Sequence, residues 1–324
     1  MSAYVPSSAQ VMVVLGALFA SALIAGFALG RLRSVRAARA MAWLLLLCGT
    51  VGLERLSARE APGFRMLALI GFALLAMKAI VHVEDQARGS APLPFARWLE
   101  FACGWLGMQP RLFAAPRSAD LTGASTLLVR SAAHLAIGVA LLGVARLSWV
   151  TLHSRLLATI FLLPGLSFLL HFGLCNLLAG GWRLRGVACE ALFRTPLRSQ
   201  SLAEFWSRRW NLAFSEMTAL AVYRPLSTPL GRGPALFGAF VCSGLLHEMA
   251  ISLPVRAGFG LPLLYFSIHG GLVLFERTLS KRGRPIGGWP GRVWAILALV
   301  VPLPLLFHRP FLAGVVWPLI GIPR

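Results

Sequence analysis

Acidic residues and lysines are scarce in this sequence. Among 324 residues there are 11 Asp and Glu, the only lysines are Lys78 and Lys281, and charged side chains make up 13%, against roughly 25% in a soluble domain. Together with 57% hydrophobic residues and a mean hydropathy of +0.74, that shortage excludes a water-soluble globule. Alternation of apolar and polar residues is also missing. The apolar runs are unbroken, which excludes a transmembrane β-barrel. Five scattered cysteines, Cys48, Cys103, Cys175, Cys189 and Cys242, show no CxxC spacing and read as reduced thiols rather than a disulfide framework or a zinc site. No positive residue precedes the first apolar run, and Arg31, Arg33, Arg36 and Arg39 follow it, so that run does not read as a cleaved signal peptide. Internal repeats and low-complexity tracts are absent as well.

What remains is a series of about nine apolar segments, at 10–30, 40–53, 66–83, 125–145, 156–180, 235–253, 258–276, 291–307 and 310–322. Most approach the roughly 20 residues that cross a hydrocarbon core as a helix, and in lipid a helix satisfies its own backbone. The expected fold is therefore all-α, a multi-pass bundle of about eight or nine spans, with 40–53 and 310–322 short for a full crossing. The formal net charge of +20 lies in short arginine-rich stretches beside the apolar runs, the pattern of the positive-inside rule. It calls for no nucleic acid partner. Alternation places 31–39, 84–124, 181–234 and 277–290 on the cytoplasmic side, the N-terminus outside and the C-terminus inside. Arginine, alanine and glycine wealth beside lysine poverty points to a GC-rich bacterial genome, and so to a bacterial cytoplasmic membrane.

Two cytoplasmic stretches exceed plain connectors. Residues 91–113 mix aromatic and charged side chains and are expected to hold an amphipathic helix lying in the interface. Within 181–234, Ser201 and Glu204 have capping-box spacing and predict a helix over 201–221. On it, Trp206, Trp210, Ala213, Phe214 and Met217 form one face. Glu204, Ser207, Arg208, Asn211, Ser215 and Thr218 form the opposite stripe.

The segment ALFGAFVCSGLLHEMAISL at 235–253 places His247 and Glu248 about 12 residues, roughly 18 Å of rise, into a span. Ionisable groups at that depth are functional candidates by default. A zincin is excluded because position 251 is Ile251 where a second histidine is needed. His134, His171 and His269 stand alone in apolar helices and read as packing partners, while His82, Glu84 and Asp85 read as a solvated cluster at a membrane edge. Ser243 lies one turn before His247, but no acidic third member and no GxSxG accompany it.

The string SLAEFWSRRWN at 201–211, followed by SGLLHE at 243–248 and supported by GMQPRLF at 107–113, resembles the membrane-bound O-acyltransferase superfamily, in its wax-ester synthase-like branch. The resemblance implies one domain over 1–324, with its motif core at about 181–253 and the interfacial segment at about 91–113. It implies acyl transfer from acyl-coenzyme A to an alcohol, with His247 as the catalytic histidine and Asn211 as its paired asparagine. Ser207 departs from the glycine expected after the tryptophan.

Chemically, a neutral imidazole can take the proton of a hydroxyl nucleophile, and an amide can orient the alcohol or donate to an oxyanion. Arg208 and Arg209, with Trp206, Trp210 and Ser215, are the candidate substrate and coenzyme A contacts. Arg183, Arg185, Arg194 and Arg198 read equally as phosphate ligands or topology anchors. Acyl-coenzyme A would be a co-substrate, with no further cofactor and no metal. Transfer of an acetyl or other short acyl group to a terpenoid, polyketide or sterol hydroxyl is the alternative within the same chemistry. From other classes, a proton-coupled transporter would use His247 and Glu248 as a relay, and a non-catalytic scaffold would hold Asn211 and His247 together only by coincidence.

Overall fold

The computed structural model describes residues 2–118 and 122–323. All regular elements among them are helical. In chain order the main helices are α1 (Ala9–Leu29), α2 (Val35–Leu56), α3 (Pro62–Gln86), α4 (Phe95–Gly104), α5 (Ala124–Leu152), α6 (Arg155–Leu184), α7 (Leu212–Thr218), α8 (Arg232–Val255), α9 (Leu261–Lys281), α10 (Gly288–Leu306) and α11 (Arg309–Ile320). Seven of them, α1, α2, α3, α5, α6, α8 and α10, are long and apolar enough to cross a membrane.

Serine hydroxyls open three of these spans. Ser8, Ser34 and Ser154 accept from the backbone N–H of Val11, Ala37 and Leu157, satisfying donors that a helix start leaves orphaned. Side chains such as Val13, Ile24, Val139, Leu156 and Val300 are exposed, as expected of helices whose outer neighbour is hydrocarbon. The apolar window of α3 is instead 72% buried, against 17–28% for the other six, so α3 is the central post. Helix α9 runs antiparallel to α8, with Gly244 against Leu263 and Gly270 against Phe237 and Phe240, and stands outside the seven apolar candidates.

The amphipathic helix expected within 91–113 is α4. Its buried Trp98 and Phe101 face the bundle, and Trp98 Nε1 donates to the Leu23 carbonyl at 3.0 Å. A Cβ at position 26 would come 2.8 Å from the Trp98 ring, so Gly26 is what lets α4 seat against α1. Arg117 and Glu100 pair at 2.6 Å on its outer side.

The structure corrects two expectations. Segment 310–322 does not cross the bundle: α11 lies along one rim, where Tyr4 Oη donates to the Val315 carbonyl at 2.7 Å and Trp317 Nε1 donates to Thr159 at 2.9 Å. Arg146, near the end of α5, donates to the Ile320 carbonyl at 2.7 Å. Helix α11 thus ends at the rim that holds Tyr4, not at the opposite one. The physical reason is its brevity, with the buried Trp317, Pro318 and Ile320 anchoring it sideways.

The continuous helix expected over 201–221 is also broken. Ser201 caps as predicted, accepting from the Glu204 N–H at 3.0 Å, but Trp210 is extended and Asn211 adopts φ 45° and ψ 60°. The carboxylate of Glu276 on α9 holds the first part by accepting from the N–H groups of Leu202 and Ala203, at 2.7 and 2.8 Å.

Candidate active site

A cavity of about 2670 Å³ runs through the bundle beside α3. It is larger than the roughly 300–1,000 Å³ of a site for one small ligand. Its lining along α3 extends from Met66 to Met77, about 16 Å of helix rise, and is mostly aliphatic. Polar groups gather at its arginine-bearing end, with Arg194, Thr195, Arg198 and Arg277, and midway along it, with His247, Asn211, Ser215 and His171.

His247 closes the regular part of α8, before a π-helical turn over Glu248–Ser252. Its Nδ1 lies 2.7 Å from the Ser243 carbonyl oxygen. A carbonyl only accepts, so Nδ1 carries the proton and Nε2 keeps its lone pair. Phe266 packs on the imidazole at 4.2 Å between ring centroids and Phe214 at 5.9 Å, fixing its plane. The contact to position 243 is to the backbone, which removes the basis for pairing the Ser243 hydroxyl with His247 as a nucleophile. Glu248 does not orient the histidine. Its Oε1 accepts from the N–H groups of Gly260 and Leu263 at 2.9 and 3.0 Å, capping α9 and locking the α8–α9 hairpin.

Asn211 sits at the break between the RRW turn and α7. The segments on either side are stitched by backbone bonds from Arg194 N–H to the Arg209 carbonyl at 2.7 Å and from Leu212 N–H to the Leu192 carbonyl at 3.0 Å. The left-handed conformation forced between them is one that asparagine tolerates better than most residues. Its Oδ1 accepts from the Phe214 N–H at 3.3 Å as the N-cap of α7. With the oxygen engaged, the amide NH2 is the end left to the cavity. Ser215 bridges the break by donating to the Trp206 carbonyl at 2.6 Å.

Of the site residues expected from the sequence, His247, Asn211, Trp206, Trp210 and Ser215 all line this one cavity. Phe214 is the shared neighbour of the histidine and the asparagine, through its ring and its backbone. Arg208 and Arg209 do not line the cavity. Arg209 pairs with Glu204 at 2.6 Å and with Thr195 Oγ1 at 3.0 Å, and Arg208 is exposed, because the π-helical turn rotates both away. Their place at the mouth is taken by Arg194, Arg198 and Arg277.

Arg183 is spent on the carbonyls of Cys189 and Thr122, and Arg185 lies over Trp182; both serve the local fold. Glu84 pairs with Arg39 at 2.7 Å and His82 with Gln86 at 2.9 Å. Burial pushes the Cys189 thiol up to about 12, against the pull of Lys78 and Arg183, which keeps it unreactive. Sequence reasoning missed Arg277 and took His171 for a packing residue. The one available signal for His171 was Pro164, which loosens the helix ahead of it.

Fold and site define a multi-pass helical membrane protein with a large, partly open cavity that is mostly apolar and is lined by a histidine and an asparagine. Residues 189–266, which hold both side chains, match the model of the membrane bound O-acyl transferase family. The chain is 31% identical over 112 residues to probable long-chain-alcohol O-fatty-acyltransferase 6 of Arabidopsis thaliana, covering 32% of each chain. It is 33% identical over 98 residues to the long-chain-alcohol O-fatty-acyltransferase of Simmondsia chinensis, covering 28% of each. Acyl-CoA–sterol O-acyltransferase 1 of Arabidopsis thaliana is 31% identical over 107 residues, 29% of this chain and 31% of that one. The chain thus spans about a third of the length of the curated relatives it matches.

Proposed function

We propose that the protein is an O-acyltransferase that moves a fatty acyl group from acyl-coenzyme A to the hydroxyl of a lipid-soluble alcohol, forming a wax-type ester. The observation that carries this reading is a histidine with a free Nε2 lone pair and an asparagine amide opening into one long apolar cavity. Nε2 of His247 takes the hydroxyl proton as the alcohol oxygen attacks the thioester carbonyl. Asn211 donates to the oxyanion that forms, a contribution of about 3 kcal/mol at comparable sites. Collapse of the tetrahedral intermediate expels the coenzyme A thiolate, which recovers the proton from His247, so no acyl-enzyme and no further cofactor enter.

The arginine-bearing mouth faces the cytosol, where Arg198 and Arg277 meet the phosphates of the donor. In this orientation the N-terminus is outside. The aliphatic stretch takes the alcohol from the bilayer, in the cytoplasmic membrane if the source is bacterial. The sterol acyltransferase among the relatives favours a second reading in which the acceptor is a sterol or similar polycyclic alcohol.

The test is expression in a host that lacks such esters, fed labelled long-chain alcohols or sterols, with new esters identified by mass spectrometry. A long-chain ester supports the first reading, a sterol ester the second. No new ester from either acceptor contradicts both.

A further inference from the structure

His171 lines the same cavity as His247 and Asn211, and the mechanism above leaves it unused. It stands on a π-helical turn over Phe168–Leu174 inside α6, a deviation found mostly where a helix is bent to a functional end. Its ring is held by Phe193 at 4.6 Å and by Trp210, the residue before Asn211, at 5.1 Å between centroids. Nδ1 lies 3.1 Å from Ser167 Oγ. The Ser167 hydroxyl and Nδ1 can each donate to the other, according to the tautomer. Where the hydroxyl donates, the ring proton sits on Nε2, a nitrogen with no protein partner among the described residues.

With the Ser167 hydroxyl as donor, the two histidines that line the cavity are opposite tautomers. The Ser243 carbonyl makes His247 an acceptor at Nε2, and a donating Ser167 hydroxyl makes His171 a donor there. Packing alone does not account for His171, since a phenylalanine or leucine would fill the same aromatic slot without the cost of placing an imidazole there.

Resting on the O-acyltransferase reading, we infer that His171 is a further catalytic residue, whose Nε2–H donates a hydrogen bond to the acyl carbonyl oxygen beside the amide of Asn211. The two donors make the oxyanion site, and His247 takes the hydroxyl proton. No bond to His171 forms or breaks, and its proton stays in place through the cycle.

The test compares His171→Leu, His171→Gln and Ser167→Ala in purified protein, using a long-chain acyl-coenzyme A and hexadecanol. Glutamine puts an amide N–H near the position of Nε2, whereas leucine keeps bulk and removes the donor. Loss of one oxyanion donor predicts a fall in kcat of about 100-fold for His171→Leu with both KM values little changed, since the donor acts in the transition state. His171→Gln should recover most of the rate, and Ser167→Ala, which frees the tautomer, should lose about tenfold.

Wild-type kcat in His171→Leu, or equal losses in the leucine and glutamine variants, overturns the inference while leaving the O-acyltransferase reading intact. If His171→Leu does not fold, the other two variants decide, and Ser167→Ala at the wild-type rate overturns it. A wild-type protein that forms no ester removes the reading and this inference together.

Discussion

His247 and Asn211 are set in place by backbone atoms. The Ser243 carbonyl fixes one ring nitrogen of His247, and the Phe214 N–H fixes the amide oxygen of Asn211, so each presents its remaining polar atom in a defined state. This gives Asn211 two separable tasks, holding a left-handed backbone and supplying a donor. Asn211→Gly keeps the first, at a cap cost of a few tenths of a kcal/mol, and removes the second. It should accumulate as folded protein with kcat lowered about 100-fold. Asn211→Ala should show the same loss of rate and in addition a lower melting temperature, because alanine at φ 45° carries about 1–2 kcal/mol of strain. Kinetics and thermal unfolding of the two variants check this. His247 was legible in the sequence because an ionisable side chain in the middle of an apolar run is costly to place there and marks a cavity or a partner. The turn at Asn211 was not, since Trp206 through Met217 keep helical periodicity on both sides of it. Nor was the choice among arginines, which are too numerous for position alone to separate Arg277 from Arg208.

Helix α7 carries Asn211 at its start, and its position depends on contacts further along. Glu216 accepts a hydrogen bond from Gln109, in the loop whose Gly107 carbonyl is held by the buried Lys78. The GMQPRLF stretch thus ties α7 to the central post α3. Burial pushes the Glu216 carboxyl above its ordinary range, against the opposing effects of Gln109 and Arg111. A carboxyl raised in the folded state contributes stability that is present below its unfolded value of about 4.3 and is lost as pH rises through the folded one. Glu216→Gln keeps an acceptor for Gln109 and removes the charge. It should melt higher than wild type at pH 8, with the difference closing near pH 4. A higher melting point confined to acid pH would contradict the assignment. Apolar runs and the Ser201 cap announced most of the helices. The π-helical turn at 248–252 left no mark, because a single inserted residue does not disturb an otherwise apolar run.

Across the whole molecule, α11 lies along the rim where the described chain begins, held there by Tyr4 and Arg146. Cysteine scanning should find positions 35 and 282 accessible from the cytosol only, and positions 5 and 320 from the opposite side. Labelling of 320 from the cytosol would contradict the topology. The expectation of eight or nine spans came from counting apolar runs. Whether α11 crossed turned on Tyr4, Arg146 and Thr159, which lie far away in the sequence and bind it at the rim.

The central claim is that a base at position 247 drives ester formation inside this chamber, and it is tested most directly with purified wild type and His247→Ala reconstituted in lipid. Both receive a long-chain acyl-coenzyme A and hexadecanol, and ester and free coenzyme A are quantified together. The account predicts equal amounts of the two products from wild type, and neither above background from a His247→Ala variant with an unchanged melting temperature. Ester formation by His247→Ala at the wild-type rate would contradict it.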